Sequence, residues 1–249
     1  MGVPIIMADG LLGESEIEVE IPGELYHSVN IARDAVLCDA LVVVSHPTGH
    51  IQAGIGACLK NLGMGLASRK GKKQQHSRQK PRISANTCEL CRQCIRWCPQ
   101  DAIIEKNGKA FIQTEKCIGC GECIAVCRYS AVESVDDAES PDLQKRMAEH
   151  AFGAIIGKMD KCVYINMLID MTSQCDCLDI KQKRIIPDVG MLLSTDPVAI
   201  DQATLDLTRE RAGKDLGRVS QPELNPEFQL IHAEKIGMGK RTYELKTIG

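Results

Sequence analysis

Two runs of four cysteines dominate the chemistry this chain can do. CELCRQCIRWCP sets Cys88, Cys91, Cys94 and Cys98 in the spacing C-x2-C-x2-C-x3-C-P, and CIGCGECIAVC repeats that spacing at Cys117, Cys120, Cys123 and Cys127. Two-residue gaps let a curling backbone aim successive thiolates at one compact centre, and the three-residue gap throws the fourth thiol elsewhere, the pattern of 4Fe-4S ligation. Zinc ribbons also use C-x2-C pairs, but two full runs at identical spacing favour iron and sulfide. Far downstream, TSQCDCLD adds Cys175 and Cys177, one residue apart. On a regular strand, residues two apart face the same way, so both thiols would approach one atom, while a disulfide closing so small a ring is strained. A soft metal is one use for the pair. His46 and His50, with His76 in reserve, would then be borderline nitrogen ligands for this additional site. Buried filler and substrate-binding thiols are the other readings of the pair.

The two runs form an internal repeat, CPQDAI at 98–103 aligning with CRYSAV at 127–132. Between them AIIEKNGKAFI carries Asn107-Gly108 between apolar-rich arms, a hairpin signal because a type I′ turn needs positive φ at both central positions. Ile95, Ile103, Ile118, Ile124 and Val126 are placed to wrap the clusters. Residues 82–135 resemble bacterial-type ferredoxins that carry two 4Fe-4S clusters. In two-cluster proteins of this type the fourth cysteine serves the other cluster, which implies Cys88, Cys91, Cys94 and Cys127 on one and Cys117, Cys120, Cys123 and Cys98 on its partner. Arg128 stands where the pattern has Pro, which puts that turn in question and sets a cation beside a cluster. Paired clusters at this spacing most often form an electron path, and a redox partner such as a soluble electron carrier follows from it.

The elements that must hold these groups alternate between strand and helix. DALVVVSHPTGHIQAGIGACLKNLGMG reads as a buried strand at 40–44, a loop with both histidines and a glycine-interrupted helix. In open α/β sheets the carboxyl ends of strands border the ligand crevice, so His46 and His50 stand where a small-molecule substrate would bind. The glycines fit no phosphate-binding fingerprint. Downstream, KCVYINMLID reads as a strand ending near CDC, and IPDVGMLLSTDPVAIDQATLDLTRERAG as a strand and a helix. Asp196 would be the N-cap of that helix, Pro197 its first residue and Gly213 its close. Asp201 reads as an acid serving the positive end of its own helix, with catalysis the other reading for it and Asp196; Lys60 reads as a surface helical lysine, with an anion contact as the alternative; and Cys38, Cys58 and Cys162 read as core thiols. The expected fold is α/β, a mixed sheet with flanking helices, interrupted by a small α+β ferredoxin-like insert: residues 1–81 and 136–249 form the α/β domain and 82–135 the insert.

Composition narrows the function classes. A net charge of −3 and 3% aromatic residues give no footprint for nucleic acid. The seven Lys and Arg of RKGKKQQHSRQKPR, 69–82, read as a solvated connector into the insert, with a docking patch for an acidic electron carrier as the alternative. No apolar run is long enough to span a membrane. Thirteen cysteines after a start without a signal-peptide pattern point to the reducing cytoplasm. The abrupt strand-like opening, VPIIMADG, suggests a shortened chain. SHPTGH at 45–50, LKNLGMGLASRKGK at 59–72, QHS at 75–77, CDC at 175–177 and DPVAIDQA at 196–203 resemble the Fe-S centre proteins grouped as domain of unknown function 362, over nearly the whole chain. The resemblance implies a mixed α/β body, a frequently inserted ferredoxin-like module, an unassigned activity and a further N-terminal segment. Pro47-Thr48 replaces the aromatic-basic pair usual in its first histidine loop. The expected function is electron transfer by two 4Fe-4S clusters feeding an oxidoreductase-type site, with a non-catalytic carrier or a cluster-based sensor as the alternative.

Overall fold

The computed structural model describes residues 2–76, 80–117, 122–133, 142–177 and 181–248. Cys120 and Ile118 therefore lie outside the described residues. The chain is mixed α/β and divides into two compact units, Met1–Lys72 with Ala138–Gly249, and Lys73–Asp137.

The first unit opens with β1 (Glu16–Glu20) and β2 (Ser28–Ala32), an antiparallel pair, followed by α1 (Arg33–Leu37) and β3 (Leu41–Ser45). A short hairpin, β4 (Thr48–His50) and β5 (Gly54–Gly56), leads into α2 (Cys58–Lys60), which loosens into a π-turn over Asn61–Gly65. α3 (Arg69–His76) carries the chain out of this unit. The second unit holds β6 (Arg82–Ile83), α4 (Gln93–Arg96), β7 (Ile103–Lys106), β8 (Lys109–Ile112), α5 (Glu122–Ala125) and β9 (Val132–Glu133). The chain then returns through α6 (Asp142–Ile155), β10 (Cys162–Leu168), β11 (Gly190–Ser194), α7 (Pro197–Ala212), α8 (Leu216–Ser220) and α9 (Phe228–Lys235).

β10 is the central strand of a mixed sheet ordered β11-β10-β3, antiparallel to β11 and parallel to β3 with Cys162 opposite Leu41 and Asn166 opposite Ser45. Its alternating pattern buries Cys162, Tyr164, Asn166 and Leu168 on one face, where they join the main core with Ile200, Leu205, Leu59 and Ile155. The opposite face leaves Val42, Val44, Met191 and Leu193 exposed. α7 begins as its sequence dictates. Asp196 accepts from the amides of Val198 and Ala199, Pro197 needs no partner at the first position, and Gly213 closes the helix at φ 77°. Among the described residues no helix is long and apolar enough to cross a membrane.

Two buried acids brace this unit. Glu149, wholly buried in α6, accepts from the amides of Glu24, Leu25 and Tyr26 and pairs with His232 on α9 at 2.8 Å. Burial opposes its charge, but the imidazole and the three amides outweigh burial and hold the carboxyl below its usual range. Asp201 does not serve its own helix as expected. It accepts from the amides of Cys58 and Leu59 and from Asn166 Nδ2, so it caps the start of α2 from across the core. Its burial, only partly offset by those donors, raises the carboxyl to about 6.

Candidate functional site

Because β3 and β10 run parallel, their carboxyl ends open on one edge, and the loops that follow them meet there. The Gly49 amide donates to the Thr172 carbonyl at 2.8 Å, joining the histidine loop to the CDC loop. Only glycine fits at 49, because a Cβ there would overlap the Ser220 hydroxyl and the Ser173 carbonyl. The CDC loop is closed on itself by Gln174 and Gln182, which exchange two hydrogen bonds, and by a bridge between Thr172 and Arg184.

These loops and α2 enclose a cleft of about 370 Å³ lined by His46, Thr48, Lys60, Asn61, Cys175 and Cys177 among others. Lys60 Nζ donates to Cys175 Sγ at 3.2 Å, and the Cys177 amide donates to the same sulfur at 3.3 Å. Burial opposes the Cys175 thiolate, but the Cys177 thiol and amide and the Lys60 charge outweigh it and hold this thiol below its usual pKa. Cys177, exposed, is pushed the other way by its neighbour. His46 Nδ1 lies 2.6 Å from Asp176 Oδ2, and its Nε2 lies 2.7 Å from the Ile169 carbonyl. A carbonyl can only accept, so Nε2 carries hydrogen, and the carboxylate favours hydrogen on Nδ1 as well. Burial opposes this imidazolium, yet Asp176, the Ile169 carbonyl and Asp170 raise the His46 pKa.

The structure thus gathers His46, Cys175 and Cys177 into one cleft and adds Lys60, which the sequence offered as a surface lysine. Two expectations change. Residues 175–177 form a turn, not a strand, because the Gln174–Gln182 closure folds the loop back. His50 does not join the other three: its Nδ1 accepts from the amides of Gln52 and Ala53. His46, with both nitrogens engaged, has no lone pair to offer an ion while those bonds hold. Among the described residues no three His, Cys, Asp or Glu side chains are grouped to hold a metal ion. His76 falls in the other unit. Cys58 and Cys162 are buried in the core, and half-buried Cys38 donates to the Ala35 carbonyl.

Among the described residues of the second unit, several features around Cys88–Cys98 recur 29 residues on. Ile83 pairs with Val132 as Ile112 pairs with Ile103. The Ser84 amide donates to the Ala131 carbonyl, and the Gln113 amide to the Ala102 carbonyl, at 2.8 and 2.7 Å. Cys88 N bonds the Ser84 carbonyl and Cys117 N the Gln113 carbonyl, both at 3.1 Å. Each run ends in a turn with positive φ, 47° at Asp101 and 49° at Ser130. There the Ala102 amide donates to Cys98 Sγ and the Ala131 amide to Cys127 Sγ. Exposed Arg128 in the place of Pro99 therefore leaves the turn intact. Cys88, Cys94 and Cys123 are buried with Ile103, Ile112 and Val132, and Cys98, Cys117, Cys127, Ile95 and Val126 pack on that core, while Ile124 is exposed. Burial raises the Cys94 thiol, and the neighbouring thiols of Cys88, Cys91 and Cys127 raise it further. Thiols gathered among aliphatic side chains, with amides aimed at sulfur, are the donor set an iron–sulfur cluster takes.

The profile of the family described as "Domain of unknown function (DUF362)" matches residues 1–206. The chain belongs to this family. Within shorter stretches this DUF362 chain is similar to curated proteins of stated type. It is 32% identical over 85 residues to a Proteus vulgaris protein described as a probable iron-sulfur component of the Frd operon, covering 32% of this chain and 54% of that protein. It is 36% identical over 58 residues to the "Electron transport protein HydN" of Escherichia coli strain K12, covering 21% of this chain and 33% of that protein. It is 31% identical over 72 residues to a "Ferredoxin" of Pyrobaculum islandicum, covering 28% of this chain and 66% of that protein. The chain thus spans about half the length of the Proteus protein and a third of HydN.

Proposed function

We propose that this chain is an iron–sulfur electron-transfer protein. It holds two 4Fe-4S clusters in a ferredoxin-like module, 82–135, set into the α/β body of 1–81 and 136–249, and it supplies electrons to an oxidoreductase-type site at the thiol cleft of that body. The observation that carries the reading is the twofold repetition of backbone and sulfur hydrogen bonds around the two cysteine runs. One ligand set is Cys88, Cys91, Cys94 and Cys127, whose thiols act on Cys94 together. The other is Cys117, Cys120, Cys123 and Cys98. Bound clusters would each store one electron at low potential. The protein's part is to keep water from them with Ile103, Ile112 and Val132 and to tune them through the Ala102 and Ala131 amides.

The descriptions of the similar proteins, an iron-sulfur component, an electron transport protein and a ferredoxin, support the same reading. The partner it implies is an electron carrier, and the cleft takes a small molecule. The compartment it implies is a reducing one such as the cytoplasm, where thiols stay free to hold clusters. Anaerobic titration with a one-electron donor tests the proposal. Uptake of about two electrons per chain, with bleaching of a visible sulfur-to-iron band, is expected; a colourless protein that takes up none overturns it.

A further inference from the structure

Cys175 and Cys177 have unequal surroundings, and the inequality suits a sequence of reactions. The Cys175 sulfur lies on the cleft wall, half-buried, with Lys60 Nζ and the Cys177 amide both donating to it. Cys177 is exposed and its amide donates to the Cys175 sulfur at 3.3 Å, which keeps the second cysteine beside the first. The intervening Asp176 would repel a thiolate and an anionic ligand alike, but His46 takes its carboxylate at 2.6 Å. The charges that line the cleft are thus paired, Lys60 with the Cys175 sulfur and His46 with Asp176. A disulfide between cysteines one residue apart closes a small, strained ring, and strained disulfides are the readily reduced, catalytic kind.

We propose that Cys175 and Cys177 form a dithiol–disulfide couple that reduces small disulfides in this cleft. The proposal rests on the reading above for its electron supply. The Cys175 thiolate attacks one sulfur of the substrate R–S–S–R, that bond breaks, and RS⁻ leaves and takes a proton. Cys177 gives its proton to solvent and attacks Cys175 Sγ, expelling the second RS⁻, which is likewise protonated. The Cys175–Cys177 disulfide then takes up two electrons and two protons from one-electron donors and returns to the dithiol. Cys175 is the catalytic nucleophile, Cys177 the resolving thiol, and Lys60 the group that holds the attacking sulfur charged.

The test uses the full chain with its clusters, kept anaerobic, and two probes: dithiobis(2-nitrobenzoate), a dianion, and cystamine, a dication. Peptide mass spectrometry of the wild type should find Cys175 joined to Cys177 after about two equivalents of the coloured thiolate have left this pair. Cys177→Ser should stop at a mixed disulfide on Cys175, and Cys175→Ser should lose that adduct. Both probes should open at Cys175, since the charges lining the cleft are paired. An unmodified Cys175 in Cys177→Ser, or a wild type that stays a mixed disulfide, overturns the proposal. Reduced methyl viologen then tests the supply. If the oxidised pair reopens with a small dithiol but not when electrons enter through the clusters, the couple stands and the electron-transfer reading fails.

Discussion

Replacing Lys60 by Met removes one charge from Cys175 and keeps most of the packing of the side-chain stem. At 3.2 Å a pair of unit charges is worth about 1.3 kcal/mol in bulk water and about 5 kcal/mol at an effective dielectric near 20. Both side chains are half-buried on an open cleft, so solvent screening puts the contact at about 1–2 kcal/mol. The Cys177 thiol and amide act on the Cys175 sulfur more strongly than Lys60 does, so the thiol remains partly activated in the variant. Losing the contact raises the thiol pKa and lowers the thiolate fraction, and the more basic sulfur regains part of that loss through its nucleophilicity. Alkylation of Cys175 by iodoacetamide at pH 7, followed by mass spectrometry of its peptide, should therefore slow about threefold to fourfold in Lys60→Met. Lys60→Arg, which keeps the charge, should recover part of the loss. An unchanged or faster rate in a variant with a native circular dichroism spectrum would refute the assignment of Lys60 to the thiolate.

Glu149→Ala orphans three amides and the His232 imidazole and should lower unfolding free energy by about 3–5 kcal/mol in urea titrations, a loss under 1 kcal/mol counting against the clamp. Because the folded Glu149 carboxyl lies below its ordinary value, its contribution is complete above pH about 4.3 and is lost as pH falls through the folded value; Glu149→Gln should remove that acid sensitivity. Asp201 has the opposite sign. Its folded pKa of about 6 exceeds the unfolded value of about 3.9, so the folded state binds the extra proton and stability falls as pH rises across that window. The stability difference between wild type and Asp201→Asn should drift by about 2–3 kcal/mol between pH 4 and 6.5, and a constant difference would exclude the titration. Cys98→Ala should damage the cluster ligated by Cys117, Cys120 and Cys123 and leave the spectrum of the other, a pattern reversed if each run ligates its own cluster.

What the chain showed before folding was mostly local. Asn107-Gly108 reads as a type I′ turn, and the structure gives φ of 52° and 71° there. Asp196, Pro197 and Gly213 mark both ends of a helix because caps are decided within a few residues. The strands at 41–45 and 162–168 are apolar enough to be seen alone, and their parallel pairing brings His46 to the CDC loop. Pairings across the chain were not legible. Lys60 meets a sulfur 115 residues away, and nothing in LKNLGMG distinguishes it from a solvated lysine. Asp201 resembles a first-turn acid, but α7 packs on β10 so that Asn166 and the α2 amides claim its carboxylate. The polar residues Thr172, Ser173, Gln174 and Asp176 around the two cysteines were a signal for a loop that the alternation argument passed over. Glu149, an acid among Ala148, Ala151 and Phe152, signalled a buried partner without saying which.

The central claim is settled most directly by elemental analysis of anaerobically prepared protein, with iron, acid-labile sulfide and zinc measured per chain. Two cubanes require about eight iron and about eight sulfide, and zinc at trace level. Stoichiometric zinc without sulfide would contradict the account and make the two cysteine runs structural zinc sites.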